Sequence, residues 1–129
     1  MEYLYCFANA SLTLRAVEYV SLSRSLPVEF ATVVHQPDCW LLRLKFGLPL
    51  PSELHLNLQA VLLELGRPYQ PGRRVQLALW SLELGESVVK VMQRYQVAVI
   101  SHGLIDMEEI LEFRRQFISG LGYCPASLA

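Results

Sequence analysis

The sequence predicts a mixed α/β (α+β) single domain built on a five-stranded sheet with about four helices, and three observations carry that expectation. Short runs rich in β-branched and aromatic residues alternate with stretches whose apolar residues recur at helical spacing. Proline, glycine, serine and aspartate punctuate the joins. The length of 129 residues is that of one domain, and no composition break inside it marks a second core.

Tyr3, Leu4, Tyr5, Cys6, Phe7 and Ala8 alternate rings with smaller side chains and read as a strand. Ser11 is placed to cap a helix in which Leu12, Ala16, Val17 and Val20 share a face, and which must end before Pro27. Residues 28–35 and 39–46 are β-rich runs joined by Gln36, Pro37 and Asp38. Proline fixes φ there and aspartate can bond the following backbone, so the two runs read as a hairpin. In its second arm Trp40, Leu42, Leu44 and Phe46 point one way and Leu41, Arg43 and Lys45 the other, which predicts one core face and one largely wet face.

Gly47, Pro49 and Pro51 then break the chain, and Ser52 can cap a helix with Leu54, Leu58, Val61, Leu62 and Leu65 on one stripe, closed by Gly66. Leu54, Leu56 and Leu58 also alternate; length and the scarcity of β-branched residues favour helix over strand. Residues 67–74, with two prolines, Gly72 and three arginines, read as a loop. Val75, Gln76, Leu77, Ala78, Leu79 and Trp80 read as a strand, and Gly85 and Glu86 open a short helix through Val88, Val91, Met92 and Tyr95. Val97, Ala98, Val99 and Ile100 form an uninterrupted apolar strand, so strand, short helix and strand predict a right-handed parallel crossover buried on both faces. Asp106 and Glu109 resemble a capping box ahead of a last helix carrying Met107, Ile110, Leu111, Phe117, Ile118 and Leu121. Gly120 and Gly122 end it, and residues 123–129 are left to dock or fray. The order is βαββαβαβα, and its first six elements follow the ferredoxin-like split βαβ order, an architecture shared by many unrelated functions.

Apolar residues make up 53% of the chain and charged residues 18%, more apolar than an average globular protein and unlike a disordered one. A domain this small has limited interior, so part of that apolar surface is expected at a subunit or partner interface. The net charge of −1 gives no field that would recruit nucleic acid or an anionic membrane. No window approaches the roughly 20 uninterrupted apolar residues of a bilayer span, and Met1 runs directly into strand-like sequence without signal-peptide character. A soluble, cytoplasmic protein is expected. Cys6, Cys39 and Cys124 are odd in number and widely spaced, which predicts reduced thiols.

Ser101 and His102, with Gly103 after them, follow the apolar strand at a strand C-terminal end, where ligands favour open α/β sheets. Under the parallel crossover, Glu83 and Ser87 would exit at the same edge, with helix amides behind Ser87 and Asp106 facing an anion and His102 acting as acid, base or ligand. Asp106 would oppose that anion. Arg67, Tyr69, Arg73 and Arg74 combine guanidinium forks with one stacking ring, a set suited to phosphate or single-stranded nucleic acid. Arg114 and Arg115 instead face Glu108, Glu109 and Glu112 on a solvated helix side. His35 and Cys39 flank the hairpin turn at i, i+4 but supply only two metal ligands, and joining His55 and Cys6 would take an unsupported tertiary coincidence. No nucleophile elbow or glycine-rich phosphate loop is present, since Gly47, Gly66, Gly72, Gly85 and Gly103 stand singly, and no cofactor or metal is expected.

Tyr3, Tyr5, Trp40, Trp80, Tyr95 and Tyr123 are many large rings for one domain, and such rings favour interface centres. The leading expectation is a non-catalytic protein–protein interaction or regulatory domain, oligomeric through an apolar face. The competing one is a small enzyme or small-molecule binder with a pocket around Glu83, Ser87, Ser101 and His102. Nucleic-acid contact through the 67–74 loop is the weakest.

Overall fold

The computed structural model describes residues 2–23, 26–103 and 107–121. In chain order these form β1 (Glu2–Phe7), α1 (Ala10–Leu22), β2 (Val28–His35), β3 (Trp40–Phe46), α2 (Ser52–Leu65), β4 (Arg67–Pro68), α3 (Arg73–Glu83), α4 (Val88–Tyr95), β5 (Ala98–Gly103) and α5 (Met107–Leu121). The five strands lie in the order β4-β1-β3-β2-β5, and every neighbouring pair is antiparallel. The molecule is thus a mixed α+β domain with five strands and, among the described residues, five helices rather than four. No helix there is long and apolar enough to cross a membrane. The Asp106 cap, Gly122 and the 123–129 tail with Tyr123 and Cys124 lie outside the described residues.

The hairpin forms where Pro37 and Asp38 place it, and the Gln36 and Cys39 backbones close the turn on one another at 2.8 and 3.3 Å. Register pairs Val33 with Leu42 and Ala31 with Leu44, and on the other side of β3 Tyr5 with Leu42 and Tyr3 with Leu44. These residues, with Phe7, Trp40 and Phe46, build the main core beneath α1, α2 and α5. Each fully buried large apolar side chain contributes roughly 1.5–3 kcal/mol. α1 begins two residues earlier than Ser11 implies, because Asn9 Oδ1 accepts the Leu12 N–H at 2.9 Å and so supplies the cap. α2 starts at Ser52 after Pro51 with no side-chain cap, and its end is set by Gly66, whose N–H bonds the Leu62 carbonyl.

The second half departs from the expected order. Residues 75–80 are helix, not strand, and β4 at Arg67–Pro68 stands inside the segment read as a loop. Val75, Leu77 and Leu79 alternate, but Val75, Ala78, Leu79 and Leu82 also recur at i, i+3, i+4 and i+7, and these four are the buried apolar residues of the helix. With one β-branched residue among Gln, Leu and Ala, backbone preference favours helix. Without a strand there, β5 has no parallel partner. It pairs antiparallel with β2 at the sheet edge and is only partly buried, so the parallel crossover does not exist.

The face expected to be wet is therefore covered. Leu41 and Val34 pack against Val75 and Leu79 of α3, and Ala78 and Leu82 pack on Val91 of α4. The alternation in β3 holds, but Arg43 is 4% exposed because α3 lies over it.

Candidate functional site

On the α3 side of the sheet, cross-strand register brings Glu2, Arg43 and Lys45 together with Phe30, Thr32 and His102. Arg43 Nε and Nη2 donate to Glu2 Oε2 at 3.0 and 2.6 Å, Nη2 also to Glu83 Oε2 at 2.8 Å, and Nη1 to the Leu79 carbonyl at 3.4 Å. Lys45 pairs with the other oxygen of Glu83. Both cations stand over the Phe30 ring, with Arg43 Cζ at 5.7 Å and Lys45 Nζ at 5.6 Å from its centroid. Two carboxylates and a backbone carbonyl thus satisfy a guanidinium that could not be buried alone.

His102 joins this cluster from β5. Its Nδ1 lies 2.7 Å from Thr32 Oγ1. Burial lowers the His102 pKa, the Leu82 carbonyl opposes that, and the Arg43 charge adds to it. The ring ties β5 to β2 through Thr32.

Glu83 and His102 therefore share a neighbourhood, but Ser101 and Ser87 do not belong to it. Ser101 pairs with Val33 and faces the opposite side of the sheet, as alternation requires. Ser87 caps α4, accepting from the Lys90 N–H at 3.5 Å. The expected strand-end grouping of Glu83, Ser87, Ser101 and His102 depended on the parallel crossover and is not brought together.

The four residues of the 67–74 segment are also divided. Arg67 Nε donates to Cys6 Sγ at 3.2 Å. Tyr69 packs against the cluster of Val34, Leu41, Val75 and Leu79 and donates to Gln36 Oε1 at 3.2 Å, which removes it as an open stacking platform. Arg73 and Arg74 are exposed on the first turn of α3. His35 stacks edge-on against Trp40, on the sheet face opposite Cys39, while His55 bonds Tyr3. No group of three or more His, Cys, Asp or Glu among the described residues is placed to hold a metal ion.

Two features escaped the sequence reading. Arg43 looked like a solvated strand residue because its covering helix read as strand. The outer side of α3 and α4 carries Trp80, Leu84 and Val89, which are 52%, 85% and 57% exposed. Trp80 and Leu84 stand one turn apart, and Val89 lies in the first turn of α4, just past the tight turn at Gly85. Tyr95 ties the two helices through a 3.2 Å bond between its hydroxyl and Ser81 Oγ. Helical spacing shows this face only once 75–80 is read as helix.

Comparison with protein-family models, with functionally curated proteins and with solved structures finds no match.

Proposed function

We propose that this chain is a non-catalytic protein–protein interaction domain of regulatory type, and that it acts by self-association through the outer face of α3 and α4. The exposure of Trp80, Leu84 and Val89 on one helix pair carries this reading. A half-exposed tryptophan beside a nearly fully exposed leucine is costly in water and typical of a desolvated interface centre. A second copy fits better than an unrelated partner because the surrounding charges carry both signs: Glu86 and Arg94 pair at 3.2 Å, and Lys90 lies between them in sequence. In an isologous contact each patch meets itself, so a patch of mixed sign is self-complementary where a single-sign one repels. The antiparallel β4-β1-β3-β2 order, with α1 and α2 over one face, supports the ferredoxin-like reading of the frame, its last strand shortened to two residues.

Light scattering over a concentration series tests the reading. The parent protein is expected to dimerise, and Trp80→Glu with Leu84→Glu to remain a folded monomer. A parent that stays monomeric throughout, or a double variant that associates equally well, rejects it.

A further inference from the structure

The two described cysteines, Cys6 and Cys39, meet across β1 and the end of the hairpin. Cys6 lies opposite Leu41, and Cys39 is two residues before Leu41, so both side chains leave the same face of the sheet on the diagonal. Each is 3% exposed, and both line a cavity of about 300 Å³ with Asp38, Gly66 and Arg67. The β4–β1 pairing sets Arg67 opposite Cys6 and aims its Nε at the sulfur from 3.2 Å.

We propose that Cys6 and Cys39 form a peroxide-responsive dithiol in which Cys6 attacks, Arg67 steadies its thiolate, and Cys39 closes an intramolecular disulfide. An ordinary buried thiol is inert because nothing compensates its ionised form. Here a guanidinium N–H points at Cys6, while the Cys39 S–H is directed at Gln36 Oε1, 4.0 Å away. The Cys39 thiol is pushed up to about 12, by burial first and then by Cys6 and Asp38, so Cys39 stays protonated in the resting protein. The Arg67 N–H is aimed at Cys6, and that contact separates attacking from resolving sulfur. It also argues against a soft metal between the two, since Arg67 sets a positive charge against the sulfur.

The chemistry balances with hydrogen peroxide as oxidant. The Cys6 thiolate attacks one peroxide oxygen; an S–O bond forms, the O–O bond breaks, and the departing hydroxide takes up the proton that Cys6 released, giving water. The Cys39 sulfur then attacks the sulfenic sulfur. An S–S bond forms, the S–O bond breaks, and the hydroxide leaves as water with the Cys39 proton. Two thiols are oxidised by two electrons and one peroxide is reduced to two waters; a dithiol reverses the change. Diagonal strand neighbours stand about 7–8 Å apart at Cα, against the roughly 5.5–6 Å of most disulfides. Closure therefore draws the 36–39 turn toward β1 and removes the thiol that Arg67 Nε faces.

The test treats the full chain, as Cys124→Ser to remove the third thiol, with hydrogen peroxide, then alkylates it unfolded with N-ethylmaleimide for mass spectrometry. The expected product is a Cys6–Cys39 disulfide, lighter by two hydrogens, unalkylated, and reopened by dithiothreitol. Cys39→Ser should stop at a Cys6 sulfenic acid that dimedone traps. Arg67→Met, a change at an exposed edge residue, should slow the reaction about tenfold, the effect of losing one charge-assisted hydrogen bond to the reacting sulfur. Two alkylated cysteines after peroxide, dimedone capture at Cys39 in the parent, or an unchanged rate in Arg67→Met with native circular dichroism would each overturn the proposal.

Discussion

Arg43 of β3 and Glu83 of α3 meet at 2.8 Å across the boundary between sheet and helix, one end of the pair buried and the other 26% exposed. Without Arg43 the carboxylate of Glu83 would face the sheet with only Lys45 to balance it, and the Leu79 carbonyl would lose a donor. Breaking a buried pair from one side costs about 3–5 kcal/mol. Arg43→Ala should lower stability by that order in urea denaturation. Glu2→Gln, at a partner 43% exposed, should cost under about 1 kcal/mol.

Acid should loosen both faces of the sheet. Burial holds the pKa values of His102 and His35 below the ordinary 6.5, so the folded state binds these protons less readily than the unfolded chain. Their contribution to stability is complete above 6.5 and drains away as pH falls below it through the folded values. Urea midpoints measured from about pH 8 to about pH 5 should fall on the acid side. His102→Asn should flatten that fall while lowering the midpoint at high pH.

Gly66 joins α2 to β4 beside β1. A Cβ there would stand 2.3 Å from the Cys6 carbonyl oxygen and 2.6 Å from Phe7 Cδ1. The first contact is backbone and cannot turn aside, so Gly66→Ala should shift β1 and cost about 1–3 kcal/mol. Gly72→Ala meets nothing within 4 Å and provides the matched control in thermal melts.

The sheet's centre was legible because two independent signals agreed: Pro37 and Asp38 mark a turn, and Trp40 to Phe46 alternate on either side of it. The 75–80 stretch was not, because Val75, Leu79 and their neighbours satisfy both a two-residue and a helical period, and only burial decides between them. That one misreading hid the covered face, the burial of Arg43, the antiparallel setting of β5 and the exposed side of Trp80 and Leu84. β4 is two residues long and has no periodicity to detect. Cys6 and Cys39 are brought together by the β1–β3 register, which neither strand specifies alone. Glu83 and His102 were singled out together for an edge that does not exist, and meet instead around Arg43.

The emission of Trp80 tests the self-association surface most directly. Trp40 is fully buried and gives a constant background, which Trp80→Phe measures. The account predicts that on dilution the Trp80 emission shifts to the red and becomes open to acrylamide quenching, with the midpoint at which light scattering reports dissociation. A Trp80 signal that is solvent-exposed and unchanged at every concentration would contradict it.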